Sequence, residues 1–485
     1  MRRVGTFFLL TAITAAGLFA QPAAKIVEDE AYRSEISLLE TWIRQQMEYR
    51  NIPGLAVGIV YDRQLVYAKG FGYTDLEKKT PVTPESLFRI ASNSKTFTAT
   101  AVMQLRDAGK LRLDDPVDKY LKGFSIGNPY PGAPPITIFN LLTHTSGLPR
   151  EAAFPYWTDR KFPTMQQILE ALPAQEMIYP PGQQIKYSNL GMALLGQIVA
   201  VASGMPYEKY VKENIFEPLG MRSTTVFLSE KDKKRLVTPY SHRLPDGSRR
   251  VMPFTDAKGL APAANITSNI VDLSRFVSLQ FQSGRREGAQ ILDGYTLEEM
   301  HRLHFANKKW TGGYGLGFRV WRDGDYTVNG HGGWVAGNRS QISFIPSEKV
   351  GVIVLTNADD VSPSFFANAV LERLVPVIHK IVTPPAKVPE ADPRWEKYTG
   401  LYSDPSWYDT EVMIYKGRLA LNNFSYPPDD DPAGGLVFLT PAGRDTFVMD
   451  GPNGNGEKVV FIMDENNKVE KVKVGENYIF PKATD

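Results

Sequence analysis

The chain has 485 residues, which is enough for two or three domains and a large buried core. Its formal net charge is only +2, so the balance of charge does not favour nucleic acid or an acidic surface as a partner. The sequence contains no cysteine, which excludes disulfides, a thiol nucleophile, a cysteine-ligated metal and a lipid-modified cysteine.

The N-terminus has the order of segments that is typical of a secretory signal peptide. Two arginines stand near the start, an apolar run follows over residues 7–20, and small residues and a proline come next. We predict a signal peptide over residues 1–24, with cleavage near Ala20 or Ala24, and a periplasmic or secreted mature protein. The alternative is an uncleaved membrane anchor, although the run is short for a membrane span. No long apolar stretch follows it, so we expect no stable membrane insertion after cleavage.

Residues 25–380 combine strand and helix patterns. Apolar residues at helical spacing over residues 30–50 predict an amphipathic helix. The runs LAVGIV and QLVYAKG predict one hairpin, and QISFIP and GVIVLTN predict another near the far end of the region. The stretch between them is mixed and partly helical. We therefore predict an α+β or α/β domain whose sheet is built from both ends of the segment.

The sequence changes character after this domain. Four prolines between positions 384 and 393 predict an extended linker over residues 381–394. Short strand-like runs follow, from EVMIY to NYIF, with turn residues between them. This rhythm predicts an all-β barrel or sandwich over residues 395–485, which is also a candidate surface for homo-oligomerisation.

Two serines are candidates for chemistry. Residues 123–127 read GFSIG, the sequence form of the nucleophile elbow of α/β-hydrolases. That turn needs a helix directly after the serine, but the chain continues IGNPYPGAPP, whose prolines forbid one. We therefore place Ser125 in a loop and interpret the match as chance.

Ser92, unlike Ser125, is followed by a helix pattern. Apolar residues recur at helical spacing over residues 92–108, and Gly109 stands where a C-terminal cap belongs. Lys95 follows three residues after Ser92, so both side chains project from one face near the helix N-terminus, where backbone N–H groups gather. A hydroxyl beside an amine and free N–H donors suits nucleophilic catalysis, and burial would lower the pKa of Lys95. The alternative is an N-cap serine with a lysine on a solvated face.

Two further motifs fit the same chemistry. The motif YSN at residues 187–189 precedes an apolar helix, and the motif HGG at residues 331–333 enters a strand. Tyr187 beside a lysine can act as a phenolate base, because a nearby ammonium favours its charged form. Asn189 presents both a donor and an acceptor to a substrate amide, and the two glycines let a substrate backbone approach closely.

In this order, the motifs resemble those of the serine β-lactamases and penicillin-binding proteins, closest to the branch of class C β-lactamases and D-aminopeptidases or esterases. The resemblance runs from about residue 36 to about residue 380 and includes HTSGLP at residues 144–149. It implies an antiparallel sheet flanked by helices beside a helical subdomain, with the site between them. The C-terminal segment, through WEKYTGLY and its strand rhythm, resembles the lipocalin-like β-barrel appended to some exported members.

The resemblance also implies roles for individual residues. Ser92 would be the acylated nucleophile, Lys95 and Tyr187 would share general-base and general-acid duty, and His144 would be structural. The backbone N–H groups of Ser92 and Trp334 would form the oxyanion hole, and no cofactor or metal is needed. The expected site residues are, for catalysis, Ser92, Lys95 and Tyr187, and, for substrate binding, Asn189, His331, Gly333 and Trp334.

The sequence departs from the β-lactamase pattern at His331. True β-lactamases have Lys-Thr-Gly or a close variant there, and the lysine helps to bind the substrate carboxylate. A histidine with an ordinary pKa near 6.5 is mostly neutral at pH 7 and its charge depends on pH, so this anchor is weakened. The change favours esters, amides or peptides processed from the amine end, as in the D-aminopeptidase and esterase members. Trp334 is bulky for the next position and would narrow the pocket.

We therefore predict an exported serine hydrolase that acts on small-molecule or short-peptide substrates through an acyl-enzyme on Ser92. One alternative is a β-lactamase or a D-Ala-D-Ala carboxypeptidase. Another is a binding module, acylated once and deacylated slowly, that serves as a penicillin or peptidoglycan sensor or scaffold. We expect no metal site, because His301 and His304 form an H-x-x-H without a third ligand and are predicted to lie on a solvated helix.

Overall fold

The computed structural model describes residues 21–284, 290–383, 390–404, 409–424, 434–451 and 454–482. The chain divides into two compact units, Met1–Val382 and Thr383–Asp485. The signal-peptide prediction for residues 1–20 lies outside the described residues, and so does the central part of the predicted linker.

The first unit contains helices and a large sheet. Its helices are α1 (Gln21–Glu28), α2 (Glu30–Arg50), α3 (Ser94–Asp107), α4 (Ile138–Leu142), α5 (Tyr156–Asp159), α6 (Met165–Ala171), α7 (Asn189–Ser203), α8 (Tyr207–Val211), α9 (Glu230–Lys233), α10 (Ala261–Ala264), α11 (Ile270–Leu279), α12 (Gly294–His301) and α13 (Pro363–Val382). Its strands are β1 (Gly54–Tyr61), β2 (Gln64–Asp75), β3 (Thr80–Pro81), β4 (Phe88–Arg89), β5 (Thr267–Ser268), β6 (Phe305–Ala306), β7 (Gly312–Tyr314), β8 (Arg319–Asp323), β9 (Tyr326–Val335), β10 (Asn338–Ile345) and β11 (Val350–Thr356).

The main sheet is antiparallel and has the order β3-β2-β1-β11-β10-β9-β8-β7-β6. Both predicted hairpins are confirmed as β1–β2 and β10–β11. Strand β1 pairs with β11, with Val57 opposite Val354, so the two ends of the domain meet in the middle of the sheet. The prediction of a sheet built from both ends is therefore confirmed.

Alternation along β1 separates two hydrophobic cores, one on each face of the sheet. Ala56 and Val60 belong to the core that contains α3, α7 and α11. Leu55, Val57 and Ile59 belong to the core that contains the terminal helices α2 and α13. Successive side chains of a strand point to opposite faces, and here both faces are covered, which explains the nearly continuous apolar run in the sequence.

The helices at the start of the chain belong to the folded unit. Helix α2 matches the predicted residues 30–50, and the side chain of Asp29 caps it by accepting from the backbone N–H of Ala31. In α1, Ala23 is buried in the core of the terminal helices, and Lys25 Nζ donates to the carbonyl of Ile381 over 2.8 Å.

The division between the units, at Val382 and Thr383, falls inside the predicted linker. Helix α13 continues to Val382, beyond the predicted domain end at residue 380, because Ile381 is buried against the terminal helices. At the other end of the predicted linker, Pro393–Tyr398 forms a 3₁₀ turn that Asp392 caps. Helix α13 and the 3₁₀ turn therefore reach into the predicted linker from either side.

The second unit is a closed antiparallel barrel, which decides between the barrel and the sandwich. Its strands are β12 (Gly400–Ser403), β13 (Asp409–Tyr415), β14 (Arg418–Asn423), β15 (Leu436–Gly443), β16 (Thr446–Asp450), β17 (Lys458–Met463), β18 (Val469–Val474) and β19 (Asn477–Pro481). Each strand pairs with its neighbours in sequence, and the pair Tyr402–Pro481 joins β12 to β19 and closes the barrel. All the predicted strand-like runs are strands. Strand β12 was not among them, because GLYS is too short to show alternation.

Helix α7 is the apolar helix predicted after the YSN motif. It begins where Ser188 Oγ accepts from the backbone N–H of Gly191, and it ends at Gly204, whose φ of +72° suits a helix terminus. Most of its residues are buried in the core. Among the described residues no single helix is long and apolar enough to cross a membrane; the bent pair Asn189–Ser203 and Tyr207–Phe216 reaches that length and apolarity only when combined.

Candidate active site

Ser92 lies in the short 3₁₀ turn Ala91–Asn93, directly before α3. Ala91 has a φ of +49°, a left-handed conformation that non-glycine residues seldom adopt and that persists only when the surroundings impose it. The surroundings here include Ser340 on β10, whose Oγ donates to the carbonyl of Ile90 over 2.7 Å and accepts from Asn93 Nδ2 over 2.8 Å. One side chain thus holds the turn on both sides of the serine.

Gly333 on β9 packs against the same turn. A Cβ placed at Gly333 would lie 2.2 Å from the carbonyl oxygen of Ile90 and 3.2 Å from the Cβ of Ala91. We expected the glycine to make room for a substrate backbone. The structure shows that glycine is needed there because the strand passes so close to the turn that carries Ser92.

Lys95 is buried, so the alternative of a lysine on a solvated face is wrong. Its Nζ lies 3.0 Å from Ser92 Oγ, donates to the carbonyl of Ala263 over 2.8 Å and stands 4.9 Å from the ring centre of Tyr187. Burial lowers the pKa of Lys95 well below its usual value, as predicted, while the nearby Glu151 carboxylate acts in the opposite direction. A neutral amine in contact with the hydroxyl can accept its proton.

Tyr187 shares a hydrogen bond with Ser92, but its protonation state differs from the predicted phenolate. Burial raises the pKa of Tyr187 above its ordinary value of 10, and the hydrogen bond to Ser92 only partly opposes this. The prediction relied on a nearby ammonium, whereas burial also favours the uncharged form of Lys95. Burial therefore favours the neutral amine of Lys95 and the neutral phenol of Tyr187, and a neutral phenol can give a proton.

His144, the first residue of HTSGLP, positions Tyr187. Its carbonyl accepts from the N–H of Lys186 over 2.7 Å, and its Nδ1 accepts from the N–H of Ser188 over 3.2 Å. Its ring packs on that of Tyr187 with centroids 4.4 Å apart. Burial holds the pKa of His144 well below 6.5, so the ring is neutral and Nδ1 can act as an acceptor. This geometry agrees with the structural role that the resemblance implied.

Asn189, the first residue of α7, is buried and lines the cavity. Its Nδ2 donates to Glu151 Oε1 over 2.8 Å. Its Oδ1 has no hydrogen-bond partner among the described residues. We expected the amide to offer a donor and an acceptor to the substrate, and Glu151 takes one of the two N–H groups of Nδ2.

His331 is neutral over the whole physiological pH range, because burial lowers its pKa to about 3. We expected a charge that varies with pH, and the structure corrects this. Its Nδ1 lies 2.6 Å from the carbonyl oxygen of Gly332, so Nδ1 carries the proton and Nε2 is an acceptor. Nε2 has no partner among the described residues.

Ser92, Tyr187, Asn189 and His331 line one cavity of about 500 Å³, a volume that suits a small ligand. The lining residues that were not predicted include six with charged or aromatic side chains: Arg150, Glu151, Trp157, Tyr314, Arg319 and Arg339. The tertiary fold brings these residues to the cavity. Only Arg150 and Glu151 could have been found from the sequence, because they directly follow the motif HTSGLP.

The three arginines make the cavity positive. Arg150 pairs with Glu151 over 3.2 Å, whereas Arg319 makes no ion pair within the part of the chain that the structure describes. Arg319 also helps to lower the pKa of His331. The positive charge that the HGG motif does not supply is therefore present elsewhere in the cavity.

Trp334 lies at the mouth of the cavity instead of filling it. Its side chain is half exposed, and its Nε1 donates to Asp359 Oδ1 over 2.8 Å. The ring faces that of Trp157, with centroids 6.3 Å apart and an angle of 22° between the planes. Strand β8 pairs with β9 only as far as Gly330, so residues 331–335 have no partner from β8 on that edge. This open edge could present the backbone N–H of Trp334 to a substrate carbonyl.

The other sequence candidates lie outside this cavity. Ser125 is exposed in a loop, as predicted, and the depression beside it has no lysine or histidine among its described lining residues. His301 is not on a solvated face: it is buried against Phe318 and Phe344, its pKa is lowered to about 3 by burial, and its Nε2 contacts Gln280. Within the described ranges no three metal-ligating side chains come together.

Comparison with known proteins extends these observations. A sequence model of the Beta-lactamase family matches residues 39–376. Beta-lactamase-like protein 2 of Dictyostelium discoideum is 31% identical over 392 residues, which cover 79% of this chain and 70% of that protein.

Solved structures show the same similarity. The octameric penicillin-binding protein homologue from Pyrococcus abyssi is 27% identical, with a TM-score of 0.62 over 92% of this chain and 100% of that one. A D-stereospecific amidohydrolase from Streptomyces sp. is 26% identical, with a TM-score of 0.56 over 67% of this chain and 95% of that one.

Proposed function

The chain belongs to the β-lactamase family, and we propose that it is an exported serine hydrolase that cleaves amide or ester bonds through an acyl-enzyme on Ser92. The observation that carries the proposal is the contact of 3.0 Å between Ser92 Oγ and the buried Nζ of Lys95. A serine hydroxyl is a weak nucleophile at its ordinary pKa, and a neutral amine at this distance activates it.

In the proposed reaction, Lys95 takes the hydroxyl proton while Ser92 Oγ attacks the carbonyl carbon. The backbone N–H groups of Ser92 and Trp334 stabilise the oxyanion, as the resemblance implies. The proton on Lys95 reaches the leaving amine or alcohol through the hydroxyl of Tyr187, and the tetrahedral intermediate collapses to the acyl-enzyme. Water then attacks the ester, its proton passes to Lys95 and on to Ser92 Oγ, and the acid is released.

We propose small D-amino-acid amides, D-amino-acid peptides or small esters as substrates. The neutral His331 lacks the charge of the lysine that binds a carboxylate in true β-lactamases. The similarity to the Streptomyces amidohydrolase, which is named as D-stereospecific, supports the choice of D-amino-acid derivatives.

A second candidate activity is that of a β-lactamase or a D-Ala-D-Ala carboxypeptidase, whose substrates carry a carboxylate. Arg319 favours this candidate, since it places an unpaired guanidinium in the cavity within the described part of the chain. Guanidinium groups bind carboxylates well through paired hydrogen bonds. A D-alanyl peptide and its C-terminal amide separate the two candidates, because only the second candidate requires the free carboxylate.

Intact-mass spectrometry combined with product detection tests the proposal. The mature protein, Ser92→Ala and the control Ser125→Ala are each mixed with a p-nitrophenyl ester, a D-amino-acid amide and a penicillin. We expect product from the mature protein and from Ser125→Ala, and none from Ser92→Ala. Undiminished turnover by Ser92→Ala would overturn the assignment of the nucleophile. A long-lived adduct without turnover would instead identify a slowly deacylating sensor or scaffold.

We further propose export and self-association. The N-terminal pattern supports export, and the packing of Ala23 supports cleavage at Ala20. Mass spectrometry of the mature N-terminus tests the cleavage. An intact Met1 would contradict it. Self-association through the barrel is supported by the octameric state of the Pyrococcus homologue. Light scattering of the full chain tests this, and a monomer at micromolar concentration would contradict it.

A further inference from the structure

Two tryptophans at the cavity present apolar surface to solvent. Trp157 is 40% exposed and Trp334 is 51% exposed. They are the only exposed large apolar side chains among the described residues that line the cavity. Most of the other lining residues are polar or charged. An apolar group of a substrate therefore finds its largest apolar partner at these two rings, where a ligand can reach it.

Neighbouring groups hold both rings in place. Trp157 packs edge-to-face against the buried ring of Phe162, with centroids 5.2 Å apart. Trp334 Nε1 donates to Asp359 Oδ1 over 2.8 Å, and the same oxygen accepts from the backbone N–H of Gly337 over 2.6 Å. Rings that are ordered before binding lose little conformational freedom when a ligand stacks on them.

The two indoles are oriented for one flat group. Their planes differ by 22°, so a planar ring that stacks on one indole lies nearly parallel to the other as well. A pair of aromatic rings gains more than its buried area alone provides, because the π-systems carry quadrupoles. An aliphatic ring of the same size is puckered and lacks that gain.

The rings are close to the bond that Ser92 would attack. Gly333 packs so closely on the carbonyl of Ile90, two residues before Ser92, that an added Cβ would lie 2.2 Å from that oxygen. Trp334 is the next residue after Gly333, with Cα atoms about 3.8 Å apart. A ring that is separated from the scissile bond by one or two single bonds is therefore within range of the indoles.

We infer that Trp157 and Trp334 form an aromatic subsite, so that the enzyme prefers substrates with a planar aromatic ring near the scissile bond to substrates with an aliphatic ring of the same size. Asp359 is the residue that positions the Trp334 ring. The inference rests on the proposed function and specifies its substrate class, which comprises amides and esters that carry an aryl group, such as derivatives of aromatic D-amino acids.

Two matched pairs of probes test this preference in the full chain. The methyl esters of D-phenylalanine and D-cyclohexylalanine differ in the acyl part, and benzyl acetate and cyclohexylmethyl acetate differ in the leaving group. Each kcat/KM is divided by the rate of alkaline hydrolysis, which removes differences in intrinsic reactivity. We expect a ratio of about two- to tenfold in favour of the aryl probe in one of the pairs, and that pair shows which part of the substrate the rings bind. Ratios of one in both pairs would overturn the inference.

Trp157→Leu and Trp334→Leu test the two rings separately. Each keeps an apolar side chain and removes the aromatic face, so the ratio is expected to fall towards one. Trp157→Phe restores a ring and is expected to restore a ratio above one. The matched control is Trp310→Leu, at a side chain that is 84% exposed and does not line the cavity, and it should keep the wild-type ratio. An unchanged ratio in both leucine variants would overturn the inference.

Two substitutions of Asp359 test its positioning role. Asp359→Ala removes the acceptor of the Trp334 N–H, so the ring is no longer fixed and the ratio is expected to fall. Asp359→Asn keeps an oxygen acceptor and is expected to keep the ratio. A loss of stability without any change of the ratio in Asp359→Ala would show that Asp359 has only a structural role.

Binding is measured separately, with Ser92→Ala and the pair D-phenylalaninamide and D-cyclohexylalaninamide, by ligand-observed NMR. A preference for the aryl amide without turnover of any ester by the wild type would refute the proposed hydrolysis and leave the aromatic subsite standing. Turnover that depends on Ser92, with no preference in rate or in binding, would do the reverse. The absence of both turnover and preference would overturn both proposals.

Discussion

The two sides of the cavity differ in how their polar atoms are satisfied. On the nucleophile side, Lys95 Nζ contacts two protein oxygens, and Ser340 holds both ends of the turn that carries Ser92. On the substrate side, Asn189 Oδ1 and His331 Nε2 are buried without a partner among the described residues. Each such atom costs about 1–3 kcal/mol unless a ligand or water satisfies it. The comparison shows one side whose polar atoms are satisfied by the protein and another side with two buried acceptors that the described residues leave unsatisfied.

Lys95→Met is expected to have the largest effect and would test the nucleophile side directly. The substitution removes the amine and keeps the length of the side chain, so acylation should slow by about 10²–10⁴-fold. Unfolding should require at least as much free energy as in the wild type, because burying an amine is costly. Pre-steady-state acylation and urea denaturation measure the two quantities. Unchanged acylation would show that Lys95 is not the base.

Ser340→Ala tests whether the Ser340 side chain holds the turn that carries Ser92. It removes two hydrogen bonds and should lower the free energy of unfolding by about 1–3 kcal/mol, with slower acylation because the turn relaxes. Thr356→Ala on the neighbouring strand β11 is the matched control, since it loses a buried hydrogen bond to the carbonyl of Gly54 and does not line the cavity. It should lower stability but not acylation. Equal losses of acylation in both variants would mean that Ser340 has no special effect on the turn.

Trp157→Ala tests the substrate side. The loss of one ring at the cavity mouth should raise KM about two- to tenfold for substrates with an aromatic group and leave kcat nearly unchanged, because aromatic contacts contribute about 0.5–1.5 kcal/mol. Trp310→Ala, at a side chain that is 84% exposed, is the control and should change neither constant. A fall in kcat alone would place Trp157 in the chemistry rather than in binding.

His331→Gln is expected to have the smallest effect on the pH profile. In the wild type, kcat/KM should rise with pH as Lys95 loses its proton, and it should reach its plateau well below pH 10.5 because the pKa of Lys95 is lowered by burial. His331, with a pKa of about 3, remains neutral across that range. The rate of the variant can fall, but the shape of the profile should stay the same. An inflection near pH 6.5 that is present in the wild type and missing in the variant would show that His331 titrates during catalysis.

Much of the fold could be predicted because it depends on local patterns. The apolar run of β1, the hairpins and the strands of the barrel follow from side-chain alternation and turn residues. The domain boundary could not be placed as well, since α13 is extended by the burial of Ile381 against residues more than 300 positions earlier in the chain. A local proline pattern contains no information about that contact.

By itself, the sequence determined the chemistry of the nucleophile, because Ser92 and Lys95 lie three residues apart on one helical turn and need no distant residue to meet. Only the tertiary structure decided the protonation and the hydrogen bonding of these side chains. The neutral forms of Tyr187 and His331 follow from burial, which depends on the whole fold. The hydrogen bond that the Asn189 amide donates goes to a carboxylate 38 positions away in the chain. Protonation and hydrogen-bond direction depend on the groups that surround a side chain, and those groups come together only when the chain folds.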